Sequence, residues 1–140
     1  MIKTKYTQLV KVKKQRVDTI ENEIAILNSK RESIKNEIDR LALQISSLQK
    51  PKDGKFGIFL SVSYSFGKLH SLKKSKEEVL SQKESELHRK QEEYKVALMD
   101  YEKIKYLEDL LVGKKLDKIK KDEQKLLDEL SQTVYKRRIL

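Results

Sequence analysis

Apolar residues fall alternately three and four positions apart from Val17 to Leu48, which is the spacing of a coiled-coil seam. The seam consists of Val17, Ile20, Ile24, Leu27, Ile34, Ile38, Leu41, Ile45 and Leu48. Such a narrow stripe packs against a partner helix and leaves the other faces in water. The spacing therefore predicts a first helix from about residue 3 to about residue 50.

Two seam positions, Lys13 and Arg31, are basic. A polar residue in a coiled-coil seam costs stability but fixes the register and the choice of partner. We interpret Arg31 as a register residue or as a side chain that extends to solvent, rather than as a binding site.

A second long helical pattern follows one break, which contains Pro51, Asp53 and Gly54. Proline and glycine favour a turn here, which we place at about 51–58, with a second helix at about 59–137. Charged residues make up 39% of the chain and Trp is absent, as suits long solvated helices. The sequence predicts an all-α fold, in which one domain spanning 1–140 forms an antiparallel coiled-coil hairpin and the second helix overhangs the first.

The segment 56–66 is ambiguous because large apolar residues alternate with mostly small ones, as in a strand. A lone strand would have no second strand to pair with, and Phe59, Val62 and Phe66 also fit a helical stripe. We expect a short loop that enters the second helix near Gly57 to Ser61. Its aromatic residues either cap the coiled coil or form an exposed patch that binds a partner.

The first helix is too short to cover the second. With a turn centred near residue 54, coverage ends at about residue 105, which leaves roughly 30 residues, or about 45 Å of helix. This remainder carries an apolar stripe of Leu116, Ile119, Leu126, Leu127, Leu130 and Val134. An isolated helix of this kind is marginal in water, so we expect another surface to bury it, either a second copy or a hollow partner.

Net charge concentrates near the two ends of the chain. Residues 1–16 hold six Lys and Arg and no acid, residues 113–140 hold nine against five acids, and the rest hold seventeen of each sign. A hairpin brings both ends to one pole. This basic pole predicts an acidic partner surface.

The residues for most catalytic and metal chemistry are absent or scattered. There is no Cys, and His70 and His88 are isolated. We expect no enzyme activity, no cofactor and no metal. Acids interleave with the lysines near the C-terminus, which disfavours nucleic acid, and no apolar run is long enough for membrane insertion. Without a recognisable leader, a cytoplasmic location is expected.

The segment 123–132, which reads Glu-Gln-Lys-Leu-Leu-Asp-Glu-Leu-Ser-Gln, is followed by the basic residues 136–138. It resembles the C-terminal signature of FliJ, the family of flagellar export stalk proteins. The basic N-terminus, the size, the break near one third of the chain and the longer second helix are similar too. The matched positions are Gln124, Leu127, Asp128, Glu129 and Gln132, with Lys136, Arg137 and Arg138 beyond them.

The resemblance implies a stalk similar to the central shaft of rotary ATPases, located peripherally at the flagellar base. The end that bears both termini would enter the hexameric ring of the flagellar export ATPase, and the stalk would also contact the export gate protein and export chaperones. The expected ring contacts are Lys114, Lys115, Leu116, Ile119, Leu126, Leu130, Val134, Arg137 and Arg138. The expected gate or chaperone contacts are Phe56, Phe59 and Phe66.

Two other functions fit the sequence. In a prefoldin-like holding chaperone, the alternating run 56–66 would be a strand that assembles with strands of other subunits. In a homodimeric coiled-coil adaptor, the apolar stripe would pair with its own copy and no ATPase would be involved.

Overall fold

A computed structural model of the protein describes residues 2–48 and 56–139. It contains two helices, α1 (Thr7–Ser47, 41 residues) and α2 (Phe56–Ile139, 84 residues). Within the described ranges there is no strand. The two helices pack against each other as a helical hairpin, which confirms the predicted all-α fold.

Reciprocal hydrogen bonds precede the first turn of α1. The Thr4 hydroxyl accepts a hydrogen bond from the backbone N–H of Tyr6 at 3.1 Å, and the Thr7 hydroxyl accepts one from the backbone N–H of Thr4 at 2.8 Å. Side chains thus bind amides that have no partner within the helix. This cap explains why α1 begins at Thr7, slightly later than the seam predicts.

Serine hydroxyls accompany the end of α1. Ser46 and Ser47 donate hydrogen bonds to the carbonyl oxygens of Leu43 and Gln44, at 2.9 and 2.8 Å. These carbonyls belong to the last turns, where intrahelical partners run out. The predicted turn at Pro51 to Gly54 lies outside the described residues.

The expectation of a loop near Gly57 to Ser61 is wrong, because α2 begins at Phe56 and runs through this segment. The strand alternative is also absent from this segment. A strand needs a neighbour to bind its backbone N–H and C=O groups, whereas a helix pairs them locally. The segment therefore forms a helix rather than a strand.

The chain divides into two compact units, each containing a part of both helices. The first comprises Met1–Val17 and Val96–Leu140, and the second comprises Asp18–Lys95. Val17 and Ala97 are buried in the first unit. The second buries Ile20, Leu27, Leu41 and Leu87. Four of these six residues belong to the predicted seam of the first helix.

Ion pairs join the two helices among the described residues of the second unit. The Lys90 amine lies 2.6 Å from the Glu23 carboxylate, and the Lys76 amine lies 2.9 Å from that of Glu37. The two glutamates are fourteen residues, or two heptads, apart along α1, and the two lysines are the same distance apart in the opposite direction along α2. The pairs therefore follow one antiparallel register.

Candidate functional site: the uncovered end of α2

The first unit contains the point where α1 stops covering α2. The Lys115 amine donates a hydrogen bond of 2.9 Å to the backbone carbonyl of Lys3. From Lys114 to Arg138 every residue is exposed. We call residues 114–138 the overhang; as a helix it is about 37 Å long.

Coverage thus extends further than the expected limit at residue 105. In the first unit the Lys13 amine lies 3.9 Å from the Asp100 carboxylate, and these two residues are centred in sequence between residues 56 and 57 rather than near 54. Each residue of α1 therefore lies beside a residue of α2 several positions later than expected. The overhang is correspondingly shorter, at 25 residues.

The apolar stripe of the overhang is exposed along its whole length. At 100° per residue its members lie within one arc of the helix surface. Each retains between 43% and 58% of its accessible surface: Leu116, Ile119, Leu126, Leu127, Leu130 and Val134. Glu123 lies in the middle of the same arc. The surface is therefore an apolar stripe interrupted by one carboxylate.

A lysine stripe lies on the opposite face of the overhang. Lys114, Lys118, Lys121 and Lys125 are spaced by four, three and four residues, which places them on one side of the helix. The neighbouring acids lie toward the edges of this stripe. Sequence reasoning recognised the interleaving of charges along the chain but missed this separation around the helix.

The residues expected to contact a ring are consequently divided between two faces. Lys115 and Arg138 flank the apolar stripe, and Arg137 lies on its line beyond Val134. Lys114 lies on the lysine stripe. Near its C-terminal part the apolar stripe borders a shallow open groove. The groove is lined by Leu127, Leu130, Ser131, Val134, Tyr135 and Arg138. Tyr135, which is exposed, is a candidate contact that the heptad pattern did not identify.

Two residues of the FliJ-like signature contact each other within the overhang. The Gln124 side-chain amide donates a hydrogen bond of 3.2 Å to the Asp128 carboxylate, one turn further along. Gln124 lies beside the apolar stripe, and Asp128 lies at the edge of the lysine stripe. Their positions leave Leu127, another residue of the signature, on the apolar surface.

The basic pole expected from the sequence falls within the first compact unit. This unit holds seventeen Lys and Arg against nine acids, while the second holds fifteen against thirteen. The aromatic ring of Tyr101 lies beneath the Lys14 amine, at 5.6 Å from its centroid. The unit that carries the overhang is therefore strongly cationic, a property that favours acidic partners.

The predicted aromatic contacts lie in the second unit, near the start of α2. Phe56 is the most open, with 74% of its surface accessible, and Phe59 and Phe66 are also exposed. The Phe66 ring meets His70 edge to face, with 4.4 Å between centroids. A shallow groove lies between Leu48 and Phe59. The expected ring contacts and gate contacts thus belong to different compact units.

The described residues offer little for metal or bilayer-spanning roles. Within 2–48 and 56–139, no three His, Asp or Glu side chains form a group that could hold a metal ion. Over the same residues, neither helix contains a stretch that is long and apolar enough to span a bilayer.

Comparison with known proteins identifies the family. The family model described as Flagellar FliJ protein matches residues 2–139, which is nearly the whole chain. Neither a curated protein nor a solved structure gave a match. The match agrees with the resemblance of segment 123–132 and extends it across both helices. The chain therefore belongs to the FliJ family.

Proposed function

We propose that this protein is the stalk of the flagellar export ATPase and that its overhang binds inside or against the hexameric ATPase ring. Membership of the FliJ family implies a role related to flagellar protein export, in a non-catalytic component. In the proposal, the protein acts in the cytoplasm at the flagellar base, and its aromatic residues Phe56, Phe59 and Phe66 contact the export gate or an export chaperone.

The observation that carries the proposal is the length of α2 without a partner. Twenty-five consecutive residues are exposed, and they carry an apolar stripe that α1 does not reach. An isolated helix with such a stripe is marginal in water. A hollow partner would contact several faces of the helix at once, the apolar stripe on one wall and the lysine stripe on another.

Self-association fits the charges of the overhang poorly. A parallel pairing of two stripes would place Glu123 against its own copy within an apolar seam. In the antiparallel pairing that aligns the stripes, Asp122 would face Glu129, and Lys115 would face Lys136. Like charges across a coiled coil oppose pairing. This argues against the homodimeric adaptor and favours a different partner.

The same stripe indicates the chemistry of the partner. A carboxylate enters an apolar interface at low cost only when it is paired. The partner should therefore present an Arg or Lys opposite Glu123, with acids near Lys115 and Arg137. The prefoldin-like alternative depends on a strand at 56–66, and those residues are helical.

The test compares the full chain with a version that ends at Val112, where α1 still covers α2. Each is mixed with the purified export ATPase, and ATP hydrolysis and ring formation are measured. We expect the full chain to raise both and the truncated chain to raise neither. If the truncated chain raises ATP hydrolysis and ring formation as much as the full chain does, the stalk proposal fails.

A point variant removes the possibility that truncation merely destabilises the protein. Leu126→Ser with Leu130→Ser lowers the apolarity of the overhang without shortening it. Ile26→Ser with Met99→Ser is the matched control, because these two side chains are exposed outside the overhang. The control should retain the effect on the ATPase and the overhang variant should lose it. Equal loss in both would contradict the proposed contact.

A further inference from the structure

The second unit adjoins the first at its two sequence ends, Asp18 and Lys95. The part of this unit farthest from those ends in sequence has an unusual charge pattern. Residues 40–48 and 56–76, which we call the acid-free end, contain Arg40, Lys68, Lys73, Lys74 and Lys76 and no Asp or Glu. In the rest of the second unit, residues 18–39 and 77–95, acids and bases lie close together along both helices. The first twelve residues of α2, 56–67, carry no charge at all.

The uncharged segment is also apolar around most of its circumference. Its large exposed side chains are Phe56, Ile58, Phe59, Leu60, Tyr64 and Phe66. At 100° per residue they are distributed around the helix, and only glycine and serine side chains fill the sector between them. Leu43, at the end of α1, is 70% exposed as well. This is not the single apolar face of a helix that fits one groove.

We propose that the acid-free end binds the surface of an anionic lipid bilayer, with residues 56–67 in the headgroup region and the lysines on lipid phosphates. Aromatic residues favour this interface, and a short apolar segment can lie in it without crossing. Each lysine near an anionic surface strengthens partitioning by about fivefold. Lys73 and Lys76 already pair with Glu77 and Glu37 at the border of this end, so Lys68 and Lys74 are the lysines that remain for lipid phosphates.

Other occupants fit the pattern less well. A protein groove covers one side of a helix and would leave the remaining apolar side chains in water. A second copy would bring the same cations together without any acid to balance them. A bilayer interface takes up apolar side chains to a depth of about 5–10 Å and supplies negative charge, so it accommodates both features. The proposal does not depend on the ATPase ring. It replaces the gate or chaperone contact proposed above for Phe56, Phe59 and Phe66, and it revises the expectation of no membrane insertion at this end alone.

The first test measures sedimentation of the full-length protein with vesicles. One set contains phosphatidylcholine alone, and the other contains about one quarter phosphatidylglycerol. We expect at least about tenfold stronger binding to the anionic set. Lys68→Glu with Lys74→Glu should weaken that binding by more than about thirtyfold, because each change removes a positive charge and adds a negative one. The matched control, Lys118→Glu with Lys121→Glu, makes the same charge change on the overhang and should retain most of the binding.

The second test reports which end enters the lipid. The chain contains no Trp, so Leu60→Trp and Leu127→Trp each introduce a single fluorophore. Anionic vesicles should shift the emission of Leu60→Trp to shorter wavelength and leave that of Leu127→Trp unchanged. Circular dichroism checks that each variant remains helical.

Three results would overturn the proposal. The first is no binding of the full chain to anionic vesicles, and the second is equal weakening by both lysine pairs. The third is an unchanged emission of Leu60→Trp on vesicles that sediment the protein. If vesicles fail while Phe56→Ser with Leu60→Ser abolishes capture by the purified export gate protein, the occupant is that protein. None of these results depends on the ATPase measurements.

Discussion

The Lys90 amine and the Glu23 carboxylate lie 2.6 Å apart, across the two helices of one compact unit. Lys90 also approaches the Glu93 carboxylate at 3.2 Å, one turn along its own helix. Lys90 lies three residues after the buried Leu87 and seven before the buried Ala97, at a heptad position of α2 where an apolar residue would be expected. The ion pair explains how a charged side chain is accommodated there.

The pH dependence of stability should report this contact. The hydrogen bond from Lys90 to Glu23, and then that to Glu93, raises the pKa of Lys90 above its usual 10.5. A raised lysine pKa contributes stability that is complete below the unfolded value and is lost as the pH rises through the folded value. The native chain should therefore exceed Lys90→Gln in stability at neutral pH, and the difference should shrink above about pH 10.5.

Urea unfolding followed by circular dichroism at a series of pH values measures that difference. Lys95→Gln is the control, because the Lys95 amine contacts only Glu92 of its own helix among the ion pairs of the described residues. A Lys90→Gln deficit that is the same at neutral and strongly alkaline pH would contradict the assignment.

Charge reversal should test the register through the second pair. Glu37→Lys places two cations together at Lys76 and should cost about 1 kcal/mol of unfolding free energy. Adding Lys76→Glu restores an opposite-charge pair, so the double variant should recover to within about 0.5 kcal/mol of the native chain. Chemical unfolding of the four proteins gives the coupling. Additive losses would mean that the two side chains do not interact in solution.

Ile20 should be among the most sensitive positions in the chain. It is 1% exposed, and truncation of a buried Ile to Ala costs about 2–5 kcal/mol through lost burial and the cavity that remains. Ile26, which lies on the exposed side of the same helix, provides the matched Ile26→Ala control and should change the unfolding free energy by about 0.5 kcal/mol or less. Similar losses at both positions would contradict the seam.

Gly113→Ala should stabilise α2. A Cβ added at Gly113 would meet no atom within 4 Å, and the residue has no positive φ. Alanine in a helix interior is favoured over glycine by about 1 kcal/mol. Hydrogen exchange read by mass spectrometry should therefore show slower exchange of the amides around residue 113. Faster exchange there would indicate that the glycine serves a bend that alanine opposes.

Glu123→Leu should convert the overhang into a self-associating helix. It removes the like-charge contact that opposes parallel pairing, and it completes the apolar stripe. Burial of each new leucine should stabilise the dimer by about 2 kcal/mol. Sedimentation velocity over a range of concentrations should show a dimer that the native chain does not form under the same conditions. A monomeric variant would mean that Glu123 is not what prevents association.

The sequence predicted the helices and part of their core because heptad spacing follows directly from helix geometry. Val17, Ile20, Leu27 and Leu41 of the seam are all buried. The start of α2 was not predicted, since an alternating apolar pattern describes both a strand and a short helix that is apolar on all sides. The difference depends on whether a second strand exists, which local pattern does not reveal.

The extent of the overhang required information that one helix alone does not contain. Its apolar residues were predicted, but its first residue depends on which residues of α1 and α2 lie side by side. Aligning Glu23 with Lys90 and Glu37 with Lys76 would have supplied that register. The separation of lysines from leucines around the overhang was likewise available from helical angles, whereas listing charges in sequence order concealed it.

The ion pairs also determine how far α2 can reach. A slip of one heptad in one direction would place Glu37 beside Leu69. A slip in the other direction would place Glu23 beside Ala97, so either slip puts a carboxylate next to an apolar residue. A slip of seven residues would move the end of the helix by about 10 Å. If the overhang enters a ring as proposed, the charges of the hairpin set how deep its end would lie.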